Sequence, residues 1–104
     1  MKTKNKEISI LDRKIGLQQP PFIIAEMSGN HNQSLERALE IVEAAAQSGA
    51  HALKIQTYTP DTMTIDLDER EFHISDPDSL WEGTSLYKLY GEAYTPWEWH
   101  QPVF

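Results

Sequence analysis

Two apolar runs set the pattern of this chain. Phe22-Ile23-Ile24-Ala25 leads straight into Glu26, and further on Leu53-Lys54-Ile55-Gln56 alternates apolar with polar. The first run, nearly continuous in apolar side chains, predicts a strand over 22–26 covered on both faces, as in a parallel sheet. The second predicts a strand over 52–57. Its Leu53 and Ile55 face one way and its Lys54 and Gln56 the other, because strand side chains alternate. Between the runs, Leu35, Ala38, Leu39, Val42, Ala45 and Ala46 form one helical stripe, with Glu36, Arg37, Glu40 and Glu43 turned outward. Ser34 is placed to cap that helix and Gly49 to end it. The unit is β-α-β.

Outside that unit the pattern is weaker. Residues Glu7 to Ile15 alternate around Asp12-Arg13 and predict a short hairpin. Gln18-Gln19-Pro20-Pro21 is a connector, since two prolines block a ladder or a helix there. Residues 1–21 therefore read as hairpin plus connector and 22–104 as the main α/β portion. Tyr58 to Ser79 is long, polar and acidic, with Pro60 and Pro77, and a loop of that length is usually functional or mobile. Leu86, Leu89, Tyr90 and Ala93 predict a short helix after Ser85. Thr95-Pro96-Trp97-Glu98 has the form of a capping box with proline at the first helical position, which predicts another helix. Pro102 should kink or interrupt it.

Composition narrows the function classes. The chain has 104 residues, a net charge of -7 and no cysteine. Its size suits one small domain. The acidic balance argues against nucleic-acid binding, which needs a basic surface. It leaves room for an anionic small molecule held by one or two focused cations. Zero cysteines exclude disulfides and thiolate metal sites and fit a cytoplasmic protein. The basic stretch from Met1 to Lys6 has no apolar segment after it, so it is not a secretory signal. No run of about 18 apolar residues predicts a membrane span. The sequence ends at His100-Gln101-Pro102-Val103-Phe104, at or just after a helix start and with no closing strand, which reads as a truncated domain.

Candidate chemistry sits at the carboxyl ends of the two strands, where parallel α/β folds place ligands. Glu26 either points to solvent or faces a ligand. Lys54, between Leu53 and Ile55, either snorkels outward or binds an anion. Gln56 extends the same polar row. Asn30 and His31 lie on the β-α loop that opens the same end; they are loop polarity or the rim of a site. His51 precedes the second strand, at the opposite end of the sheet, and reads as structural. His73 and His100 have no partner at metal-ligand spacing, and no HxH, HExxH or EF-hand pattern occurs. Trp81, Tyr87, Tyr90, Tyr94, Trp97 and Trp99 make an aromatic stretch that helix-face packing explains, with sugar stacking as the other reading.

The string Ile24-Ala25-Glu26-Met27-Ser28-Gly29-Asn30-His31-Asn32, followed by Lys54-Ile55-Gln56-Thr57-Tyr58, resembles the start of the sialic acid synthase family. Members condense phosphoenolpyruvate with an amino sugar. The resemblance extends through Ser79-Leu80-Trp81, Ser85-Leu86-Tyr87 and Ala93-Tyr94-Thr95-Pro96-Trp97-Glu98-Trp99-His100. Sialic and legionaminic acid synthases more often carry isoleucine and glycine where Met27 and Ser28 stand. These features point to the branch whose acceptor is a 2,4-diacetamido-2,4,6-trideoxy hexose.

The resemblance implies a (β/α)8 TIM barrel followed by a small antifreeze-like domain, in a domain-swapped homodimer. Residues 22–104 would be the first part of that barrel, about two βα units, preceded by the N-terminal hairpin. A complete barrel needs about 250 residues. The resemblance also implies a divalent metal (Mn, Mg or Co) whose two histidine ligands come from later strands outside this sequence. The metal polarises the sugar aldehyde, carbon 3 of phosphoenolpyruvate attacks it, water adds at carbon 2, and phosphate leaves. Lys54 would neutralise phosphoenolpyruvate, Gln56 would orient it, Glu26 would handle a proton, and Asn30 and His31 would shape the rim. The acidic loop would cover the acceptor. The rival readings are a synthase with a different acceptor and a non-catalytic barrel fragment that binds a phospholigand or a partner. The 104-residue fragment alone is expected to be inactive and poorly folded.

Overall fold

A computed structural model describes residues 6–104. The basic N-terminal stretch lies outside the described residues as far as Asn5. Strands β1 (Ile8–Ile10) and β2 (Arg13–Ile15) pair antiparallel, with Ile8 opposite Ile15 and Ile10 opposite Arg13. Leu11 and Asp12 close the turn, and Leu11 takes a left-handed φ of +52°, which a primed hairpin turn demands and a leucine adopts only under strain.

Strand β3 (Ile24–Glu26), helix α1 (Leu35–Gln47) and strand β4 (Ala52–Lys54) form the β-α-β unit. The two strands are parallel, with Ile24 opposite Ala52, Ala25 opposite Leu53 and Glu26 opposite Lys54. α1 starts where Ser34 accepts the Arg37 N–H through its hydroxyl, at 3.2 Å. It ends at Ser48 and Gly49, and Gly49 has a φ of +87° with open space where a side chain would begin. Glycine is required there by backbone conformation alone. On α1, Ala38 is fully buried, and Leu35, Ile41, Val42 and Ala45 are half-buried. Leu39 and Ala46, expected in the stripe, are exposed, and Ile41 takes part instead. Leu53 shares a small gap with Val42, Ala45 and Ala46, so the Ala25–Leu53 face of the strand pair meets α1.

Both strands are shorter than the apolar runs. Pairing begins only at Ile24 because the Ile23 N–H donates to His51 Nδ1 at 2.8 Å, while the Ile23 carbonyl accepts from the His51 and Ala52 N–H groups. His51 thereby ties the strands at their amino ends, and Phe22 packs on its ring at 5.2 Å. β4 ends at Lys54 rather than Thr57. After the Met27 N–H bonds the Lys54 carbonyl at 3.0 Å, the first chain turns away at Ser28 (φ +52°), and the ladder between the two strands ends there. The expected cover on both faces is also absent from the described residues, since Ile24 remains 54% exposed.

The acidic connection carries short elements of its own: α2 (Pro60–Met63), whose Thr59 and Thr62 form a capping box, and a 3-10 turn at Arg70–Phe72. A bridge between His73 and Ser85 closes its far end. Helix α3 (Leu86–Ala93) follows, capped by Ser85. The capping box expected at Thr95 does not form. Pro96 precedes a 3-10 turn (Trp97–Trp99) with no side-chain cap, and α4 (His100–Val103) continues from it. Thr95 is instead fully buried. Pro102 sits in the third position of α4, where its missing N–H has no intrahelical acceptor to lose, so the helix holds.

The described residues form two separate two-stranded sheets and no closed barrel. Among the described residues Met27, Ala38, Ala93 and Pro96 are the buried apolar side chains. The Cα radius of gyration is 18.0 Å, against about 13 Å for a compact chain of this length. No helix among the described residues is long and apolar enough to cross a membrane.

Candidate functional site

The register of β3 and β4 places Glu26 beside Lys54 at the carboxyl ends of the pair. Lys54 Nζ donates to Glu26 Oε1 at 2.7 Å, and the two side chains remain 53% and 54% exposed. They occupy the strand face opposite the one that meets α1. Sequence alternation places Lys54 there, and its partner is the carboxylate from the neighbouring strand end.

The loop from Met27 to Ser34 follows Glu26 directly, and it is tightly built. Ser28, Asn32 and Gln33 all have positive φ, at +52°, +49° and +58°. Non-glycine residues hold that conformation at a cost of about 1–2 kcal/mol each, so other contacts must fix it. Gln33 Nε2 donates to the Glu92 carbonyl at 3.0 Å and to the Tyr94 carbonyl at 2.8 Å. Arg37 Nε donates to the Asn30 carbonyl at 2.6 Å. Gly29 lies so close to α3 that a Cβ would fall 2.9 Å from Ala93 Cβ and 3.2 Å from Ala93 Cα. The loop is thus clamped to the end of α3.

The sequence puts His31 on the rim of the site, and the structure corrects that placement. Its side chain is fully buried. Nδ1 accepts the Gln33 N–H at 3.0 Å, Nε2 faces Thr95 Oγ1 at 3.5 Å, and the Trp99 ring packs edge-on at 5.0 Å. Burial lowers its pKa, opposed by a hydrogen bond to the Ala93 backbone. The physical reason is distance in sequence: the segment after α3 closes over a residue that a loop reading leaves in water.

Asn30 and Gln56 fall together elsewhere. With Ser28, Gly29, Tyr58 and Tyr90 they line a cleft of about 420 Å³ between the first loop and α3. Glu26 and Lys54 are not part of its wall. The five predicted residues therefore separate into an ion pair, a cleft pair and a buried histidine. Tyr58 stands edge-on to Tyr90 at 5.5 Å, and its pKa is raised by burial and by Tyr90. Gln56 accepts the Thr95 N–H through its carbonyl at 2.8 Å. Thr95 thus touches both His31 and the Gln56 backbone. Its motif has the form of a helix cap, which conceals this role, and a threonine before proline carries no signal that would reveal it.

The other histidines do not converge. His73 Nδ1 lies 2.6 Å from Asp68 Oδ1, and His100 stacks on Trp97 at 4.6 Å. Among the described residues no three His, Asp or Glu side chains come together as metal ligands.

Residues 41–104 match the NeuB family. The chain is 52% identical over 83 residues to a pseudaminic acid synthase of Campylobacter jejuni, covering 80% of this chain and 24% of that protein. It is 49% identical over 86 residues to the pseudaminic acid synthase of Helicobacter pylori, covering 83% and 25%. An N,N'-diacetyllegionaminic acid synthase of Legionella pneumophila is 55% identical over 42 residues, covering 40% and 12%. The chain thus spans about a quarter of the length of the pseudaminic acid synthases it matches.

Proposed function

The chain belongs to the NeuB family, and from that premise we propose that it supplies one edge of the active site of a pseudaminic acid synthase. In that reaction carbon 3 of phosphoenolpyruvate forms a bond to the aldehyde carbon of an open-chain 2,4-diacetamido-2,4,6-trideoxy hexose. Water adds at carbon 2, and the tetrahedral intermediate expels phosphate to leave the nonulosonic acid. β3 and β4 are then the first two strands of a (β/α)8 barrel, with the face that bears Glu26 and Lys54 turned inward. The complete synthase is a cytoplasmic homodimer.

The observation that carries this reading is the Lys54–Glu26 pair at the strand ends. Lys54 binds the carboxylate or phosphate of phosphoenolpyruvate through charge-assisted hydrogen bonds. Glu26 uses Oε1 toward Lys54, and its Oε2 is available to take a proton from the attacking water or to return one to the sugar hydroxyl. Gln56 and Asn30, on the cleft wall, offer amide groups to a sugar acetamide. A divalent metal, when bound, supplies Lewis-acid polarisation of the aldehyde. The described residues of this chain do not fit such an ion, since no three ligating side chains converge.

The longer match to pseudaminic acid synthases favours the diacetamido acceptor of pseudaminic configuration over its legionaminic stereoisomer, whose synthase matches half as much of the chain. The test is phosphate release by the complete enzyme from phosphoenolpyruvate with each acceptor. Release that requires the diacetamido trideoxy hexose of pseudaminic configuration supports the reading. Preference for its legionaminic stereoisomer or for a monoacetamido hexose transfers it to the rival acceptor. Acceptor-independent behaviour, with phosphoenolpyruvate never consumed, overturns it.

A further inference from the structure

Three contacts clamp the first β-α loop to the end of α3 and the residues just after it, and only one of them is made by a titratable side chain. Gly29 abuts Ala93, Gln33 spans to Glu92 and Tyr94, and His31 reaches Thr95. His31 is the innermost of the three, with no surface exposed.

Its hydrogen bonds define its protonation. A backbone N–H can only donate, so Nδ1, which accepts from Gln33 at 3.0 Å, carries a lone pair. The proton of a neutral ring is then on Nε2. That nitrogen faces Thr95 Oγ1. Thr95 in turn gives its N–H to the Gln56 carbonyl at 2.8 Å. A continuous path therefore runs from the residue next to Asn30, through Thr95, to the backbone of Gln56.

We propose that His31 is a positioning residue: as the neutral Nε2–H tautomer it bridges the loop after β3 to Thr95, and so fixes Asn30 and Gln56 relative to each other across the cleft. It touches no substrate. Its effect is geometric, and small displacements of binding groups are costly in rate or affinity. The inference rests on the synthase reading for its kinetic readout and on the structure alone for its tautomer.

Two substitutions separate the two nitrogens. Asparagine places an amide oxygen near the position of Nδ1, and glutamine places an amide nitrogen near that of Nε2. His31→Asn keeps the bond within the loop and loses the bridge. His31→Gln keeps the bridge and loses the bond within the loop. In the complete enzyme, His31→Asn is expected to raise KM by about tenfold or more, with kcat changed much less, and His31→Gln to be clearly the milder variant. Equal effects of the two, or a milder His31→Asn, would overturn the proposal, and because asparagine also leaves more empty volume than glutamine, the Thr95→Val result and the tautomer separate the bridge from simple filling of space. Thr95→Val, which keeps shape and removes the hydroxyl, should move KM in the same direction as His31→Asn; an unchanged KM counts against the bridge even if His31→Asn fails to fold. Nitrogen-15 NMR of the imidazole provides the readout independent of catalysis. A protonated Nε2 and bare Nδ1 support the assignment and the reverse tautomer sinks it, whether or not the enzyme proves to be a synthase.

Discussion

Lys54 Nζ and Glu26 Oε1 meet at 2.7 Å across the end of a parallel strand pair, with each side chain about half in water. An exposed pair of this kind contributes only about 0–1 kcal/mol to stability. The pair therefore has little value as a structural brace, and its charges remain accessible to a ligand. That separation of roles makes the two residues testable by kinetics without confounding loss of fold.

Lys54→Ala should raise the KM for phosphoenolpyruvate by about tenfold to a hundredfold. That range corresponds to losing one charge-assisted hydrogen bond of about 1.5–3 kcal/mol. Thermal unfolding of the complete enzyme should change little. Steady-state phosphate release at varied phosphoenolpyruvate checks it, and an unchanged KM would remove Lys54 from the site.

Glu26→Gln preserves size and an oxygen that accepts from Lys54, but it cannot take up a proton. The expected outcome is a fall in kcat of about 10²–10⁴ with phosphoenolpyruvate affinity largely kept. Single-turnover measurements at saturating substrate separate the chemical step from binding. A kcat within a few-fold of wild type would restrict Glu26 to holding Lys54.

How far the sequence exposes this arrangement differs by element. α1 is legible because its stripe, Ser34 and Gly49 act locally and agree. The hairpin and the parallel pair are legible for the same reason, since period-2 alternation in the hairpin and the second strand, and a continuous apolar run in the first, belong to each strand alone. Where β4 stops is not, because it depends on where the other strand turns away at Ser28. His31 is the clearest case. Its burial depends on Thr95, 64 positions later, and a local pattern holds no information about such a contact. The barrel class comes from resemblance rather than from periodicity, and the described residues show a mixed α/β arrangement of two small sheets. The Glu26–Lys54 pairing follows from strand register, whereas the separation of Asn30 and Gln56 into a cleft of their own depends on α3.

Gly29→Ala should destabilise the enzyme by about 1–3 kcal/mol, the usual range for overpacking. The added methyl meets Ala93 Cβ at 2.9 Å, and behind it Ala93 Cα at 3.2 Å and the Ala93 carbonyl at 3.3 Å. Backbone cannot move aside as a flexible side chain does. Ala93→Gly in the same protein should recover part of the loss, because it removes the nearest atom but leaves the two backbone contacts. Denaturant unfolding of the two single variants and the double variant measures it, and strict additivity would show that the contact is not the cause.

Burial holds the His31 pKa below its ordinary 6.5. The unfolded chain therefore takes up a proton that the folded one refuses, and stability rises with pH across the interval between the two values. The contribution is complete above about pH 6.5 and is lost as pH falls below it. Comparing unfolding of wild type and His31→Gln at pH 7.5 and pH 5.5 isolates this group from the other histidines. The variant should lose less stability on acidification, and identical losses would mean that His31 protonates freely in the folded state.

The 104-residue chain by itself should show no cooperative thermal transition and no synthase activity. Among the described residues the buried apolar side chains are Met27, Ala38, Ala93 and Pro96, three of them small, which provide little hydrophobic stabilisation against the ordering of so many residues. Ile23 and Ile24 remain 51% and 54% exposed on the strand pair, and Leu11, Leu17 and Leu80 are at least 90% exposed. A two-stranded sheet with both outer edges unpaired is marginal in water and invites association. Calorimetry on the isolated chain, with sedimentation to exclude self-association, makes the comparison. A sharp transition from a monomer would show that contacts other than these apolar ones hold it, and that the open face bearing Glu26 and Lys54 needs no further strands to keep its geometry.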